Sequence, residues 1–224
     1  MEKHGLINCR SSLKYALYFC TKIKVMERKI AVINFKESEG ILLAKALSCA
    51  SGYQLALNLN VCEWIRRFRI DEKQIDAWEN QFLLVASSFF KRIETEWFIA
   101  EFISNGAAFT EALYLKWKIN ERRLELNPEE SALLKSMLQV TGRHAAAHYC
   151  PVVHVKNAVA ASFDDLSIHF YKKFQIAYRL YDGETPMIEL LEKIIRDLEI
   201  PVVELPDKAM YEAERLVNFK NWRS

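Results

Sequence analysis

The sequence predicts an α/β protein of three layers, in which a mostly parallel five-stranded sheet carries helices on both faces. Three observations predict it. Short, continuously apolar runs alternate with longer helix-periodic runs from Lys29 to Val217, the order that gives parallel sheets. The first run, Ile30 to Ile33, is apolar at every position and rich in β-branched residues, as in a strand buried on both faces. Asn127-Pro128-Glu129-Glu130 is a helix start with a cap, a proline at the first position and acids in the first turn.

Composition bounds the alternatives. The chain has 224 residues, enough for one α/β domain with a full core. A net charge of +2 carries no single-sign field of the kind that binds nucleic acid, so no nucleic-acid partner is expected. No run of 18 apolar residues occurs, so no membrane span is expected. Five cysteines, Cys9, Cys20, Cys49, Cys62 and Cys150, lack C-x-x-C spacing and are odd in number; they read as reduced thiols of a cytoplasmic protein without a metal site.

In chain order, residues 1–28 are expected to form a helical extension, with Leu13, Leu17, Cys20 and Ile23 on one side, ahead of a domain spanning 29–224. The first strand ends in a polar turn, Asn34 to Gly40, and an apolar helix from Ile41 to Ala50. Tyr53 to Leu57 reads as the second strand and Cys62 to Phe68 as a short helix. From an Asp71 cap to about Phe98, apolar residues recur at three and four: Ile75, Trp78, Phe82, Val85, Phe89 and Ile93. Arg66, Arg67 and Arg69 before it read as a solvated turn. Phe98 to Ser104 is the third expected strand, followed by Asn105-Gly106 and a helix over 109–118. Cys150 to Val155 is the fourth strand, Ser162 to Tyr181 a helix, 186–198 another, Pro201 to Leu205 the fifth strand, and Asp207 caps a closing helix. His144, His148 and His154 fall within eleven residues but straddle a helix end and a strand, without a carboxylate or cysteine at ligand spacing.

The stretch KIAVINFKESEGILLAKAL, from Lys29 to Leu47, resembles the Walker A segment of P-loop NTPases, particularly nucleoside and nucleotide kinases and ribosylnicotinamide-kinase-like ATPases. In those proteins a strand leads into G-x-x-x-x-G-K-[ST] and a "T-L-A-K-A-L"-like helix. Laid over that pattern, Asn34 takes the first glycine, Glu39 the second, Gly40 the lysine and Ile41 the hydroxyl residue; a one-residue gap moves Gly40 to the second glycine. FISNGAAFTEALYLKW similarly resembles the strand that ends in an Asp-Arg pair, with Asn105 at the aspartate and Gly106 at the arginine.

The resemblance implies a nucleotide site, with Asn34, Lys36, Ser38, Gly40 and Asn105 at the phosphates and ATP with Mg2+ as the cofactor. Lys172, Lys173 and Arg179 fall where the family's lid arginines lie. The lysine, the hydroxyl and the aspartate are all replaced, so charge is lost in one direction at two separate places. A charge-assisted hydrogen bond is worth about 1.5–3 kcal/mol, and Glu37 and Glu39 stand where a phosphate would arrive. The leading expectation is therefore a kinase-like protein with an eroded phosphate loop and weak or no ATP turnover, acting through nucleotide or protein binding. An active phosphotransferase would need Lys36 as the cation and Glu101 or Glu111 as the catalytic carboxylates. A third reading is an oligomeric scaffold whose N-terminal helix and aromatic-rich long helix form the interface.

Overall fold

The computed structural model describes residues 28–57, 65, 66, 68–71, 74, 77–123 and 125–221, and for 217–221 the backbone alone. The expected extension at 1–28 apart from Arg28, most of the helix at 62–68, Arg67 and Ile75 lie outside the described residues.

Strand β1 (Lys29–Asn34) is followed by α1 (Glu37–Ser51), β2 (Gln54–Ala56), α2 (Trp78–Phe98), β3 (Phe102–Asn105), α3 (Thr110–Arg122) and α4 (Pro128–His148). Then come β4 (Val152–Lys156), a single 3-10 turn, α5 (Ala161–Phe174), β5 (Tyr178–Asp182), α6 (Met187–Asp197) and α7 (Pro206–Asn221). All pairings are parallel, in the order β2-β3-β1-β4-β5. The five-stranded parallel α/β sheet with helices on both faces is therefore present as the sequence predicts.

β1 sits at the centre because it is apolar on both faces. Ile30 and Val32 join α1, α6 and α7 in one core, with Leu43, Leu47, Leu191 and Ile194. Ala31 and Ile33 join the opposite core with Phe102, Phe109, Tyr149, Phe163 and Tyr171. A satellite cluster of Val85, Leu115 and Leu134 ties α2, α3 and α4 together outside the second core. Each fully buried aliphatic or aromatic side chain contributes about 1.5–3 kcal/mol. A double-faced central strand thus anchors both layers at once.

Four expected elements are displaced. The fifth strand is Tyr178–Asp182, paired with β4, and not Pro201 to Leu205. The helix expected over 162–181 stops at Phe174, because Gln175 takes the left-handed conformation (φ 57°) and its N–H closes on Lys172 O. Residues 201–205 form an irregular connection in which the Val203 and Glu204 N–H groups donate to Ala50 O. The third strand begins at Phe102, since Phe98 ends α2, and α2 itself begins at Trp78 and not at Asp71.

Candidate functional site

β1 and β3 are hydrogen-bonded neighbours, but the helices that follow them pack on opposite faces of the sheet. This divergence opens a crevice at the carboxyl ends of the two strands, the usual place for a ligand in an open α/β sheet. The crevice holds a cavity of about 310 Å3. Its floor is Val32, Ile33, Asn34, Asn105 and Gly106; its walls come from Phe35, Glu37 and Gly40, from Gln81, Leu84 and Val85 of α2, from Thr110, Glu111, Tyr114 and Lys118 of α3, and from Phe163 of α5.

The floor is fixed by local hydrogen bonds. Gly106, at φ 99°, turns the chain out of β3, and its N–H donates to Val32 O at 2.7 Å. Only a residue without Cβ adopts this backbone without strain. The Ser104 hydroxyl donates to Gly106 O at 2.7 Å, and the Ala107 N–H donates to the Thr110 hydroxyl at 2.8 Å, which fixes the start of α3. On the β1 side, the Asn34 side-chain oxygen accepts the Lys36 N–H at 2.9 Å, a turn that carries the chain straight into α1.

Only Phe35 and Lys36 separate β1 from α1. Ser38, Glu39 and Gly40 consequently lie in the first turn of the helix, and the Gly40 N–H donates to Lys36 O at 3.0 Å. A Cβ on Gly40 would stand 3.2 Å from Asn34 Cβ, so strand end and helix cross closely here. The Lys36 ammonium is paired with Glu39 at 2.9 Å, an exposed contact that raises its pKa. Glu37 and Glu39 occupy the first turn, where carboxylates stabilise the helix dipole.

Glu111, partly exposed at the cavity wall, has its carboxyl pushed up to about 7, first by desolvation and then by the charge of Glu37; Arg92 opposes the shift. Beside these acids stand three rings. Phe35 lies 6.3 Å from Tyr114 and 5.7 Å from Phe163, and Tyr114 lies 6.3 Å from Phe163. Trp117 backs them edge-on to Phe35 at 5.1 Å.

The cavity thus gathers Asn34, Gly40, Asn105 and Glu111 from the sequence-predicted site, with Lys36 and Ser38 beside it on the connection and first turn. It does not gather the others. Glu101 precedes the first residue of β3, so it lies at the opposite end of the sheet, about 13 Å from Asn105 along a strand. Lys172 and Lys173 are in the last turn of α5, which has already carried the chain back to the amino end of the sheet; Lys173 rests over the Phe174 ring at 5.5 Å. Arg179 is exposed on the edge strand β5, with β4 between it and β1. Three residues, 175–177, join α5 to β5, which leaves no segment there to act as a lid.

Gln81, Leu84, Thr110, Lys118 and Phe163 were not predicted. α2 reads in sequence as a core stripe, and nothing in its period says that its first two turns close over the β1–β3 crevice. Of the three histidines, His144 bonds Glu96 at 2.6 Å, its ring 4.3 Å from that of His148, while His154 is held inside between Asp164 (2.9 Å) and the Tyr171 hydroxyl (2.8 Å).

Strand order, helix placement and crevice together form an open parallel α/β fold that is also found in a solved kinase. A solved structure of deoxyadenosine kinase from M. mycoides with bound dATP superimposes at a TM-score of 0.58, with 14% identity, covering 76% of this chain and 99% of that one. At this identity the likeness is one of fold. A sugar kinase from Janibacter, at a TM-score of 0.33 and 12% identity over 77% of this chain and 95% of that one, is too distant to carry an argument. No protein-family profile matches the sequence, and no curated protein matches it either.

Proposed function

We propose that this kinase-fold protein binds a small molecule in the crevice between β1, β3, α2 and α3 and transfers no phosphate to it. The observation that carries this reading is the two-residue connection between β1 and α1. A phosphate-binding loop keeps several successive N–H groups turned inward around an anion and adds a lysine. Here those positions are wound into a helix. Gly40 N–H is spent within it, the nearby ammonium of Lys36 is paired with Glu39, and Glu37 adds negative charge. Binding of ATP with Mg2+ is accordingly expected to be weak or absent. The active-phosphotransferase reading keeps Glu111 in the crevice but loses Glu101, which is remote, and has Lys36 already paired with Glu39.

Isothermal titration of the full chain with millimolar ATP and GTP, each with and without magnesium, tests it. No heat is expected. A magnesium-dependent Kd near 1 μM, about −8 kcal/mol, would overturn the reading and return attention to Lys36 and Glu111.

A second reading, self-association, is favoured by the outer face of α2. Leu83, Phe90 and Trp97 recur every seven residues and are 37%, 68% and 82% exposed, with Phe98 at 80% beside them. Large aromatic side chains bury about 150–250 Å2 each, so Phe90, Trp97 and Phe98 could supply roughly half of the ~800 Å2 per partner of a standard interface. A second copy of the chain is its proposed occupant. Sedimentation should give a dimer for the parent and a monomer for Trp97→Glu; a monomeric parent ends this reading.

A further inference from the structure

The crevice has a chemical preference that a nucleotide site would not have. Glu37, at the start of α1, and Glu111, on α3, face the same cavity closely enough for one to raise the proton affinity of the other. The other charge acting on Glu111 is that of Arg92, which is buried, donates to Ala56 O at 3.2 Å and lies 5.9 Å from the Phe102 ring. Lys118 also lines the cavity, but it stands seven residues along α3 from Glu111, about 10 Å away on the helix axis. The acidic end is walled by Phe35, Tyr114 and Phe163, whose ring centroids are all within 6.3 Å of one another. Carboxylates beside ring faces attract ammonium groups twice over, by charge and through the ring quadrupoles.

We propose that the crevice selects an organic cation, a protonated amine or quaternary ammonium on a flat apolar body, seated between Glu37, Glu111 and the three rings. This deepens the ligand-binding reading above and rests on it. The ammonium relieves the repulsion between the two carboxylates, and the apolar body lies against Leu84, Val85 and the aromatic wall. A neutral ligand of the same shape leaves that repulsion in place, and an anion adds to it. Since Glu111 must be ionised to meet the cation, binding should strengthen as pH rises through 7.

The test is calorimetry on the full chain with three probes of one shape, benzylamine, benzyl alcohol and benzoate, at about pH 8 and about pH 5.5. Benzylamine should bind about tenfold tighter than benzyl alcohol at the higher pH, with benzoate weakest and the preference reduced at the lower pH. In Glu111→Gln, checked for folding by urea denaturation, the preference for the amine over the alcohol should fall severalfold and lose its pH dependence. Equal binding of amine and alcohol to the parent chain, a preference for benzoate, or no binding by any probe overturns the proposal. Magnesium-dependent ATP heat in the parallel titration would instead overturn the reading on which it rests, whatever the amines do.

Discussion

Glu111 offers a stability test that needs no ligand. Its carboxyl is displaced from an ordinary 4.5 to about 7, chiefly by desolvation and secondarily by Glu37. At about 1.4 kcal/mol for each tenfold in proton affinity, the displacement sets an upper bound of about 3.5 kcal/mol. The side chain is partly exposed at the cavity wall, so solvent screening reduces this to about 2 kcal/mol. The sign follows from linkage. Below pH 4.5 the group is protonated in both folded and unfolded chains. Between 4.5 and 7 the unfolded chain releases the proton while the folded chain retains it, so the native state loses stability as pH rises. Above 7 the loss is complete. Glu111→Gln does not titrate, so its stability relative to the parent should climb by about 2 kcal/mol from about pH 4.5 to about pH 8. At this chain length that is roughly 4–8 °C in Tm. Urea denaturation of both proteins across that range measures it, other titrating groups cancelling in the difference. A difference that stays flat, or narrows as pH rises, would refute the assignment of a desolvated carboxyl to this position.

Gly183→Ala should cost about 1–3 kcal/mol in urea denaturation, because its Cβ would stand 2.2 Å from the Lys156 carbonyl oxygen, a backbone atom that cannot rotate away; a neutral result would refute the packing of the β5 exit against β4. Asp164→Ala removes the acceptor of both the His154 ring N–H and the Asn157 N–H, and two stranded buried donors should cost about 2–4 kcal/mol; Asp164→Asn, which keeps one acceptor, should recover part of it. Gly40→Lys with Ile41→Ser restores the residues of a phosphate loop by name, yet calorimetry should show no nucleotide binding, since both positions lie within α1. Micromolar ATP binding by that variant would mean that the helix start unwinds readily into a loop.

Much of the fold was legible because the strands that matter most are extreme in composition. β1, apolar at Ile30 through Ile33, cannot be anything but central, and β4 is nearly as plain. The fifth strand was not legible. Pro201 to Leu205 has the more strand-like composition, with two adjacent valines, whereas Tyr178 to Asp182 carries Arg179 and Asp182. Pairing with β4 decides between them, and the left-handed Gln175 that frees the chain for that pairing has no strong sequence signature. Glu101 was misplaced for a related reason: the run FIAEFIS looks like one strand, but its first residue completes α2. The site was legible in location and misread in its loop. A gapless overlay on a phosphate loop assigns residues 34 to 41 to anion binding, yet Glu37 and Glu39 are also good first-turn residues for a helix, and the Asn34 side chain closes a turn on Lys36 N–H. The two readings compete for the Gly40 N–H, which donates to Lys36 O; the N–H groups of Glu37, Ser38 and Glu39 precede the first intrahelical bond, but they stand beside the carboxylates of the same turn. An N–H that donates within α1 cannot also hold a phosphate, and with two residues between strand and helix the chain has no slack to serve both. What remains at the carboxyl end of β1 is a helix start with negative charge around it, facing a second carboxylate across an aromatic wall. A crevice of this kind repels the very group that a kinase crevice is built to hold.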